Sequence, residues 1–278
     1  MTPGLAFTGL LASYIATETL SLGFERTIIR DQQLPAEFHN LRVVFVSDIH
    51  HGPFSNVSRL RRMVSKINRL QPDLVLFGGD YLTKYRSHQK LVSDYIELLG
   101  ILQKIRPPSL GCYAVLGNHD YDFSIDFNRQ QLQRAGIRLL HNQGVTLERG
   151  SAQIRLDGVG DMWFGHPDFA LAHEHTDKKT FTILLSHQPN FIDRLTPQDG
   201  VNFVLAGHTH GSQITFFRYQ PFVPHRIAAY DYQVGLVQTP QARMLVSPGI
   251  GNELPYFRFC SPPKAHLLIF KTEHQPNS

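Results

Sequence analysis

Five short apolar runs in this chain each end just before residue types that bind metal ions in proteins. The runs are LRVVFVS, DLVLFGG, YAVLG, FTILLS and VNFVLAG. Short runs of this composition predict buried β-strands, and ligands of open α/β sheets gather beyond the carboxyl ends of the strands. We therefore expect residues far apart in sequence to meet at one edge. They are Asp48, His50, Asp80, Asn118, His187, His208 and His210.

The chemistry of this set points to a dinuclear metal site. It contains two carboxylates, one amide and four imidazoles, with no thiolate. Such a mixture suits manganese, iron, zinc or cobalt better than calcium. One ion cannot use every group, whereas two ions can if Asp80 bridges them, and two-metal sites hydrolyse phosphoesters. We expect two divalent ions, with manganese favoured and iron, zinc or cobalt as alternatives.

The same residues carry a family resemblance. In order along the chain they form the motifs DIH, GD, GNHD, a single His and GHTH. This series resembles the pattern of the calcineurin-like metallophosphoesterases, which is DxH, GD, GNH[DE], H and GHxH. The resemblance extends from Leu41 to Phe270. The stretch HTHGSQITFF, the stretch LVSPGIG and the hydrophobic amino terminus are similar to the membrane-associated bacterial branch of the family.

The resemblance implies a role for each residue. The first ion would be held by Asp48, His50, Asp80 and His210, and the second by Asp80, Asn118, His187 and His208. In the family, the His of GNH[DE] lies over the scissile phosphate and protonates the leaving oxygen, which implies this role for His119. Asp120 would orient His119. A hydroxide that bridges the two ions would attack phosphorus, so no nucleophilic side chain is needed.

The resemblance implies hydrolysis of phosphodiester or pyrophosphate bonds and leaves the substrate open. A membrane lipid or a nucleotide-linked lipid such as UDP-2,3-diacylglucosamine is one alternative, and soluble nucleotides or phosphoproteins are another. A different class is a non-catalytic scaffold that binds proteins through the same fold. Scaffold members usually lose the phosphate-side histidine, whereas His119 is present here, so hydrolysis of an aryl phosphodiester would separate the two classes.

Length and periodicity predict the fold. A chain of 278 residues that is 42% hydrophobic can bury one large core. Helical spacing of apolar residues predicts helices at 57–70, 92–102 and 127–135, and Ala265 to Phe270 predicts the last strand. We expect an α/β fold in which two sheets pack face to face between helices, a four-layer αββα sandwich. Residues 1–40 would form a hydrophobic lead-in, and residues 41–278 the catalytic domain.

Charge gives a weaker indication of partners. The net charge is +4 and the pI is near 9.1, with basic residues scattered along the chain. This balance suits a phosphoester substrate or an anionic membrane surface, and nucleic acid is not expected as a partner.

The segment from Leu5 to Phe24 is apolar but carries Glu18, whose carboxylate would cost about 2.5 to 3.5 kcal/mol inside a bilayer. A spanning helix is therefore disfavoured, and the lack of a basic start disfavours a secretory signal. Two alternatives stay open: a helix at a membrane surface, or a helix packed on the catalytic domain. The first predicts a location on the cytoplasmic side of the membrane, peripheral or N-terminally anchored, and the second a cytoplasmic protein. The apolar face would contain Phe7, Leu11, Tyr14, Ile15 and Leu22.

The remaining polar residues are interpreted more simply. His51 should point to solvent because adjacent residues of an extended segment face opposite sides. Asp161 could lie near the site, or it could be a turn residue. The basic residues after the first strand, Arg59, Arg61 and Arg62, are expected on an exposed helix face. Surface positions are also expected for His88, His141, His173, His175, His225 and His266.

Overall fold

The computed structural model describes residues 3–53, 55–84, 87–216 and 232–273, with side chains described from residue 7 onward. His225 lies outside the described residues. The α-helices of the described residues are α1 (Pro3–Leu20), α2 (Val57–Leu70), α3 (His88–Leu102), α4 (Ile125–Arg134) and the short α5 (Phe169–Ala172). Among these residues, no helix combines the length and the apolar character that crossing a bilayer requires.

The strands form two six-stranded sheets. The first has the order β1-β12-β2-β3-β4-β5, and the second has the order β10-β11-β9-β8-β7-β6. Their bounds are β1 (Gly23–Asp31), β2 (Leu41–Val46), β3 (Leu74–Phe77), β4 (Cys112–Ala114), β5 (Arg138–Leu139), β6 (Gln143–Arg149), β7 (Ala152–Gly158), β8 (Thr182–Leu185), β9 (Phe203–Ala206), β10 (Gly235–Gln238), β11 (Arg243–Val246) and β12 (Lys264–Thr272).

The buried residues divide into layers that follow the alternation of the strands. Val43 and Phe45 of β2 face the second sheet, where they join Ile183 and other inward residues in one core. Val44 belongs to the core under α2, α3 and α4, because successive side chains of a strand point to opposite faces. A third core covers the outer face of the second sheet beneath α5 and short helical turns. The predicted four-layer αββα sandwich is confirmed.

Helix α2 shows why the local pattern was readable. The side-chain oxygen of Asn56 accepts a hydrogen bond from Arg59 N at 3.2 Å and caps the first turn. Buried residues then recur at helical spacing, and the helix ends at Leu70, the residue before Gln71 in left-handed backbone (φ 46°). The observed bounds are those predicted. Helix α3 begins at His88, four residues before the predicted start at Val92, and α4 runs from Ile125 to Arg134.

The lead-in contributes a strand to the first sheet. β1 pairs in parallel with β12 from Gly23 to Asp31, so residues before position 41 form the edge of the sheet that carries β2. The division between residues 1–40 and 41–278 stays a prediction. Because β1 pairs with β12 on one side and β2 pairs with it on the other, His266 of β12 lies on an inner strand and is 2% exposed. The expectation that His266 lies on the surface was therefore wrong.

A second correction concerns Arg59, which is buried instead of lying on the exposed face of α2. Its Nη1 donates a hydrogen bond to the carbonyl oxygen of Thr19 at 2.9 Å, so the last turn of α1 covers the first turn of α2. Arg61 and Arg62 are exposed as expected. The prediction for Arg59 was wrong because burial of this residue depends on where α1 lies, and the spacing of apolar residues in α2 does not show that position.

Candidate metal centre and active site

The candidate site lies where the carboxyl ends of five strands meet. In the first sheet, the neighbours β2, β3 and β4 are parallel, and in the second sheet β8 and β9 are parallel. The polar residues that follow these strands therefore leave the sheets in one direction. They are Asp48 and His50 after β2, Asp80 after β3, Asn118 after β4, His187 after β8, and His208 and His210 after β9.

Hydrogen bonds join the ends of the two sheets. The backbone N–H of His208 donates to both carboxylate oxygens of Asp48, at 2.9 and 3.1 Å. The Nδ1 atom of His187 lies 2.7 Å from the carbonyl oxygen of Gly78, which indicates a proton on Nδ1 and leaves Nε2 for another partner. The loops that follow the strands of the second sheet are thus held directly against the loops that follow those of the first.

The first ligand group consists of Asp48, His50, Asp80 and His210, whose ligand atoms all lie within 4.8 Å of one another. The Nε2 atoms of His50 and His210 are 3.0 Å apart, and Nε2 of His50 is 3.5 Å from Oδ2 of Asp80. The Nε2 atom of His210 is 3.6 Å from Oδ1 of Asp48. Four donor atoms that converge at these distances could hold one divalent ion.

The second ligand group consists of Asp80, His187 and His208, which also lie within 4.8 Å of one another. The Nε2 atom of His187 is 3.2 Å from Oδ2 of Asp80 and 3.1 Å from Nδ1 of His208. Asp80 therefore belongs to both groups, and its Oδ2 atom faces a histidine of each. The structure brings together these residues as the sequence predicted.

Asn118 tests whether a metal ion fits this arrangement. Its side-chain oxygen is buried and has no hydrogen-bond partner among the described residues. A buried amide oxygen without a partner costs about 1 to 3 kcal/mol, which a bound cation would offset. An oxygen of this kind, beside neutral imidazoles and carboxylates, is the donor set that borderline divalent ions prefer.

The backbone at the site is strained. Residues other than glycine rarely adopt a positive φ, and each instance costs on the order of 1 to 3 kcal/mol. Such strain persists where the surrounding structure enforces it, and it clusters at functional sites. Of the candidate ligands, those with positive φ are Asp48 (52°), His50 (44°), Asp80 (56°), His208 (69°) and His210 (54°).

Two motif glycines are required by close packing against these ligands. A Cβ atom at Gly117 would lie 2.2 Å from Oδ1 of Asp80, and one at Gly207 would lie 2.3 Å from Oδ2 of Asp48. Real Cβ atoms do not approach other atoms so closely, so any side chain at either position would displace a carboxylate. The glycines of the GNHD and GHTH motifs thus serve the geometry of the candidate ligands.

The electrostatics favour neutral imidazoles at His50, His208 and His210 beside an ionised Asp80. His187 differs, because the Asp80 carboxylate acts against burial and raises the pKa of His187 to about 10, so this imidazole would lose its proton when an ion binds. Burial lowers the pKa of His50 to about 3 and holds the pKa of His208 and His210 well below the usual value. Burial opposes ionisation of Asp80 too, yet His187 and His119 nearby keep its pKa well below the usual range. Neutral nitrogens and a charged carboxylate are the forms that bind metal ions.

Asp120 contacts the backbone of the loops that carry the candidate ligands, whereas His119 contacts the side chain of a candidate ligand. The Asp120 carboxylate accepts hydrogen bonds from the backbone N–H groups of Asp80 (2.8 Å), Tyr81 (2.9 Å) and Gly117 (2.8 Å), so it fixes the two loops that carry the ligands. The His119 ring packs edge-on against His50, with centroids 4.9 Å apart. That Asp120 orients His119 stays a prediction, because these hydrogen bonds of the Asp120 carboxylate come from backbone N–H groups and not from the His119 ring.

Glu253 is a residue that the sequence reading missed. Its Oε1 atom lies 3.2 Å from Nε2 of His119. It lies two residues beyond the stretch LVSPGIG, for which the sequence indicates only a resemblance to a bacterial branch of the family. Beyond that stretch, the sequence has no periodicity or motif that would place a carboxylate at position 253 beside His119.

Arg258 is a second missed residue, fully buried, and its guanidinium holds the loop after β11. It donates hydrogen bonds to the carbonyl oxygens of Pro248 (2.7 Å), Gly251 (2.7 Å) and Ser261 (3.1 Å). It also donates to the carbonyl oxygen of the candidate ligand His210 at 3.2 Å. Burial lowers the pKa of Arg258 to about 9, which still leaves the group charged near neutral pH.

Asp161 shapes one wall of the site. Its Oδ1 atom accepts hydrogen bonds from the backbone N–H groups of Trp163 and Phe164, both at 2.8 Å, and Gln188 donates to its Oδ2 atom. Trp163 packs edge-on against His208, with ring centroids 4.7 Å apart. Asp161 is therefore both a turn residue and a neighbour of the site, and its part is to position an aromatic side chain.

His51 corrects a prediction, because it is buried and not exposed to solvent. Its Nδ1 atom is 2.5 Å from Oγ of Ser55, and its Nε2 atom is 3.1 Å from Oε2 of Glu97. The expectation assumed extended backbone, but the positive φ of His50 turns the chain at that point. The alternation of faces therefore fails at this position. Of the other histidines, His141 and His173 are half-buried instead of lying at the surface, and Nδ1 of His173 is 2.6 Å from Oδ2 of the buried Asp157, whereas His88 and His175 are exposed as expected.

Comparison with known proteins decides the family. The sequence model of the family of calcineurin-like phosphoesterases matches residues 41–212, and this range contains every candidate ligand and His119. The chain belongs to this family. Solved structures with a similar fold include TT1561 of Thermus thermophilus, which is 14% identical with a TM-score of 0.48 and covers 75% of this chain and 88% of that one.

Relatives occur in bacteria and animals. The chain is 27% identical to the uncharacterized metallophosphoesterase YkuE of Bacillus subtilis, over 88% of this chain and 84% of that protein. It is 26% identical to the UDP-2,3-diacylglucosamine pyrophosphatase LpxG of Chlamydia muridarum, over 98% of each chain. A zebrafish (Danio rerio) transmembrane protein with a metallophosphoesterase domain is 32% identical over 79% of this chain and 51% of its own length.

Proposed function

We propose that this chain is a phosphoesterase that requires two divalent metal ions and hydrolyses phosphodiester or pyrophosphate bonds. The observation that carries the proposal is the position of Asp80, whose Oδ2 atom lies 3.5 Å from Nε2 of His50 and 3.2 Å from Nε2 of His187. One carboxylate oxygen that faces both ligand groups is what a bridge between two ions needs. Manganese is the favoured metal, with iron, zinc or cobalt as alternatives.

The first ion would be held by Asp48, His50, Asp80 and His210, and the second by Asp80, Asn118, His187 and His208. When bound, such ions supply an acidified water and neutralise charge on the phosphoryl group. His119 can hold a proton between its Nε2 atom and Glu253 and donate it to the leaving oxygen. The Asp120 carboxylate holds the loops of Asp80 and Gly117 in position by accepting hydrogen bonds from their backbone N–H groups.

The substrate of this proposal is amphiphilic, such as a phosphodiester or pyrophosphate linked to a lipid. Its support is the apolar surface beside the candidate ligands. Trp163 is 37% exposed although its ring packs on His208, and Phe164 beside it is also exposed. Leu254, the neighbour of Glu253, is 73% exposed. Exposed apolar side chains around a polar site suit a ligand with an acyl or isoprenoid part next to its phosphate.

The amino-terminal segment of residues 5–24 provides the membrane contact in this proposal. Along α1, Phe7 and Leu10 are 67% and 72% exposed, and they lie on one stripe with Leu11 and Tyr14. A stripe of this kind can lie in the interface of a bilayer. The protein would then work peripherally on the cytoplasmic side of the membrane, close to its substrate. The similarity to LpxG, a UDP-2,3-diacylglucosamine pyrophosphatase, supports the choice of substrate class.

The test begins with metal-free protein that is reloaded with manganese, zinc, cobalt or iron. We expect hydrolysis of bis(p-nitrophenyl) phosphate to appear with metal and to disappear with chelator. A lipid-linked pyrophosphate in vesicles should be hydrolysed more efficiently than a soluble nucleotide. Loaded protein that hydrolyses neither class of ester would refute the proposed activity, and equal efficiency on both would refute the amphiphilic substrate.

A further inference from the structure

We propose that Glu253 makes this site favour phosphate groups with one negative charge over those with two, so that diesters and pyrophosphates are accepted and monoesters are disfavoured. The inference rests on the proposed function, because it names the substrate charge that the same site selects. Its basis is the pairing of a carboxylate with His119, the residue placed nearest to the leaving oxygen.

The backbone of Glu253 is held in position by hydrogen bonds. The side-chain amide of Gln213 donates to the carbonyl oxygen of Glu253 at 2.9 Å and accepts from its N–H at 2.8 Å. Two residues earlier, Gly251 N donates to the carbonyl oxygen of Asp48 at 2.7 Å. The loop that carries Glu253 is therefore anchored to the DIH motif and to the segment that follows the GHTH motif, which keeps this residue beside the site.

The side chain of Glu253 lies on the solvent side of His119. It is 39% exposed, whereas the His119 side chain that it contacts is 10% exposed. A phosphate that approaches His119 must therefore pass close to the Glu253 carboxylate. Besides His119 itself, the cation that acts on this carboxylate is Lys84, whose ammonium group is 3.6 Å from Asp122 and is therefore shared with a second carboxylate. The outer side of the site thus presents a carboxylate, in contrast to the cationic centre expected beneath it.

Coulomb's law gives the consequence for different substrates. A phosphodiester or an internal pyrophosphate carries one charge per phosphorus, and an ester oxygen can face Glu253. A monoester carries a second charge near neutral pH, on an oxygen that has to lie beside the carboxylate. At partly solvated separations of several ångströms, one additional unit charge changes affinity by about 10-fold.

The decisive variant is Glu253→Gln, which keeps the size of the side chain and an oxygen acceptor for His119 while it removes the charge. Binding of inorganic phosphate and of dimethyl phosphate to the manganese-loaded protein is measured by calorimetry, at an alkaline pH where phosphate is a dianion. We expect the variant to tighten phosphate binding about 10-fold more than dimethyl phosphate binding. In kinetics, the ratio of kcat/KM for a nitrophenyl monoester to that for the diester should rise by a similar factor.

The matched control is Glu174→Gln, because Glu174 also pairs with a histidine, His175, at 3.4 Å on the exposed surface. It should change neither ratio. Glu253→Ala should shift the phosphate preference in the same direction as Glu253→Gln. An equal change for both anions, or no change, would overturn the role of Glu253. Calorimetry needs no turnover, so protein that binds the anions but hydrolyses no ester would contradict the proposed function and still decide this inference.

Discussion

The metal-ligand cluster and helix α1 are organised in opposite ways. Each candidate ligand follows a strand of a packed sheet and is buried, and bonds between the two sheets hold several of them, as His208 N holds Asp48. Helix α1 is fixed near its end, where Tyr14 packs edge-on against Phe259 and Glu18 and Thr19 of the last turn meet the loop of Arg258, while Phe7 is exposed. A site built on strand ends is therefore specified by sheet geometry, whereas the position of a helix docked only near its end is specified by a few contacts with residues distant in sequence.

The two regions are nevertheless connected. The Glu18 carboxylate accepts hydrogen bonds from the N–H groups of Cys260 (3.1 Å) and Ser261 (2.5 Å). The Oγ atom of Ser261 lies 3.4 Å from the carbonyl oxygen of His210, to which Arg258 also donates. Substitutions in each region therefore show how far the metal-ligand cluster depends on the docked turn, which is the last turn of α1 with Glu18 and Thr19.

The largest effect is expected from Asp80→Ala. Because this carboxylate belongs to both ligand groups, its loss should abolish nearly all hydrolysis of bis(p-nitrophenyl) phosphate. Asn118→Ala, which affects only the second ion, should retain measurable activity at high metal concentration. Steady-state assays across a manganese titration provide the comparison. Asp80→Ala protein that is as active as Asn118→Ala would contradict the shared position.

The next largest effect is expected from His119→Ala. General-acid assistance contributes about 100-fold to 10,000-fold, and substrates with poor leaving groups need it most. An alkyl phosphodiester should therefore lose that factor, while an activated nitrophenyl ester loses less and the metal content stays unchanged. Equal losses across leaving groups would mean that His119 stabilises phosphate charge without protonating the leaving oxygen.

The same contrast explains what the sequence could predict. The candidate ligands and helix α2 were readable because the strand ends and the spacing of Leu60, Val64 and Ile67 express local geometry. Burial of His266 was not readable, since it depends on β1, which pairs with β12 from the other end of the chain. The pair of His119 and Glu253 was missed for the same reason, because a loop contact carries no sequence period.

A smaller effect, on stability, is expected from Glu18→Ala. The substitution leaves the buried N–H group of Ser261 and the part-buried N–H of Cys260 without their acceptor, which costs about 2 to 4 kcal/mol of unfolding free energy. Glu25→Ala is the control, because Glu25 contacts Lys264 at an exposed position and should cost below about 1 kcal/mol. Chemical denaturation measures both. Equal losses would show that the docked turn contributes nothing specific.

The smallest effect on stability is expected at the exposed stripe of α1. Replacing Phe7, Leu10 and Leu11 together with Ser should change the unfolding free energy by less than about 1 kcal/mol and abolish binding to anionic vesicles. Leu171→Ser, at an exposed apolar residue of α5, serves as the control and should leave vesicle binding intact. A large loss of stability in the triple variant would instead favour a helix packed on the catalytic domain.

The most direct test of the dinuclear site is the number of manganese ions that metal-free protein binds, measured by equilibrium titration and elemental analysis. The arrangement around Asp80 predicts two ions per chain for the unsubstituted protein, one tightly bound ion for Asn118→Ala, and none for Asp80→Ala. A circular dichroism spectrum of each variant confirms that it is folded. Two ions retained by folded Asp80→Ala, or a single ion in the unsubstituted protein, would contradict a site in which one carboxylate joins two metals.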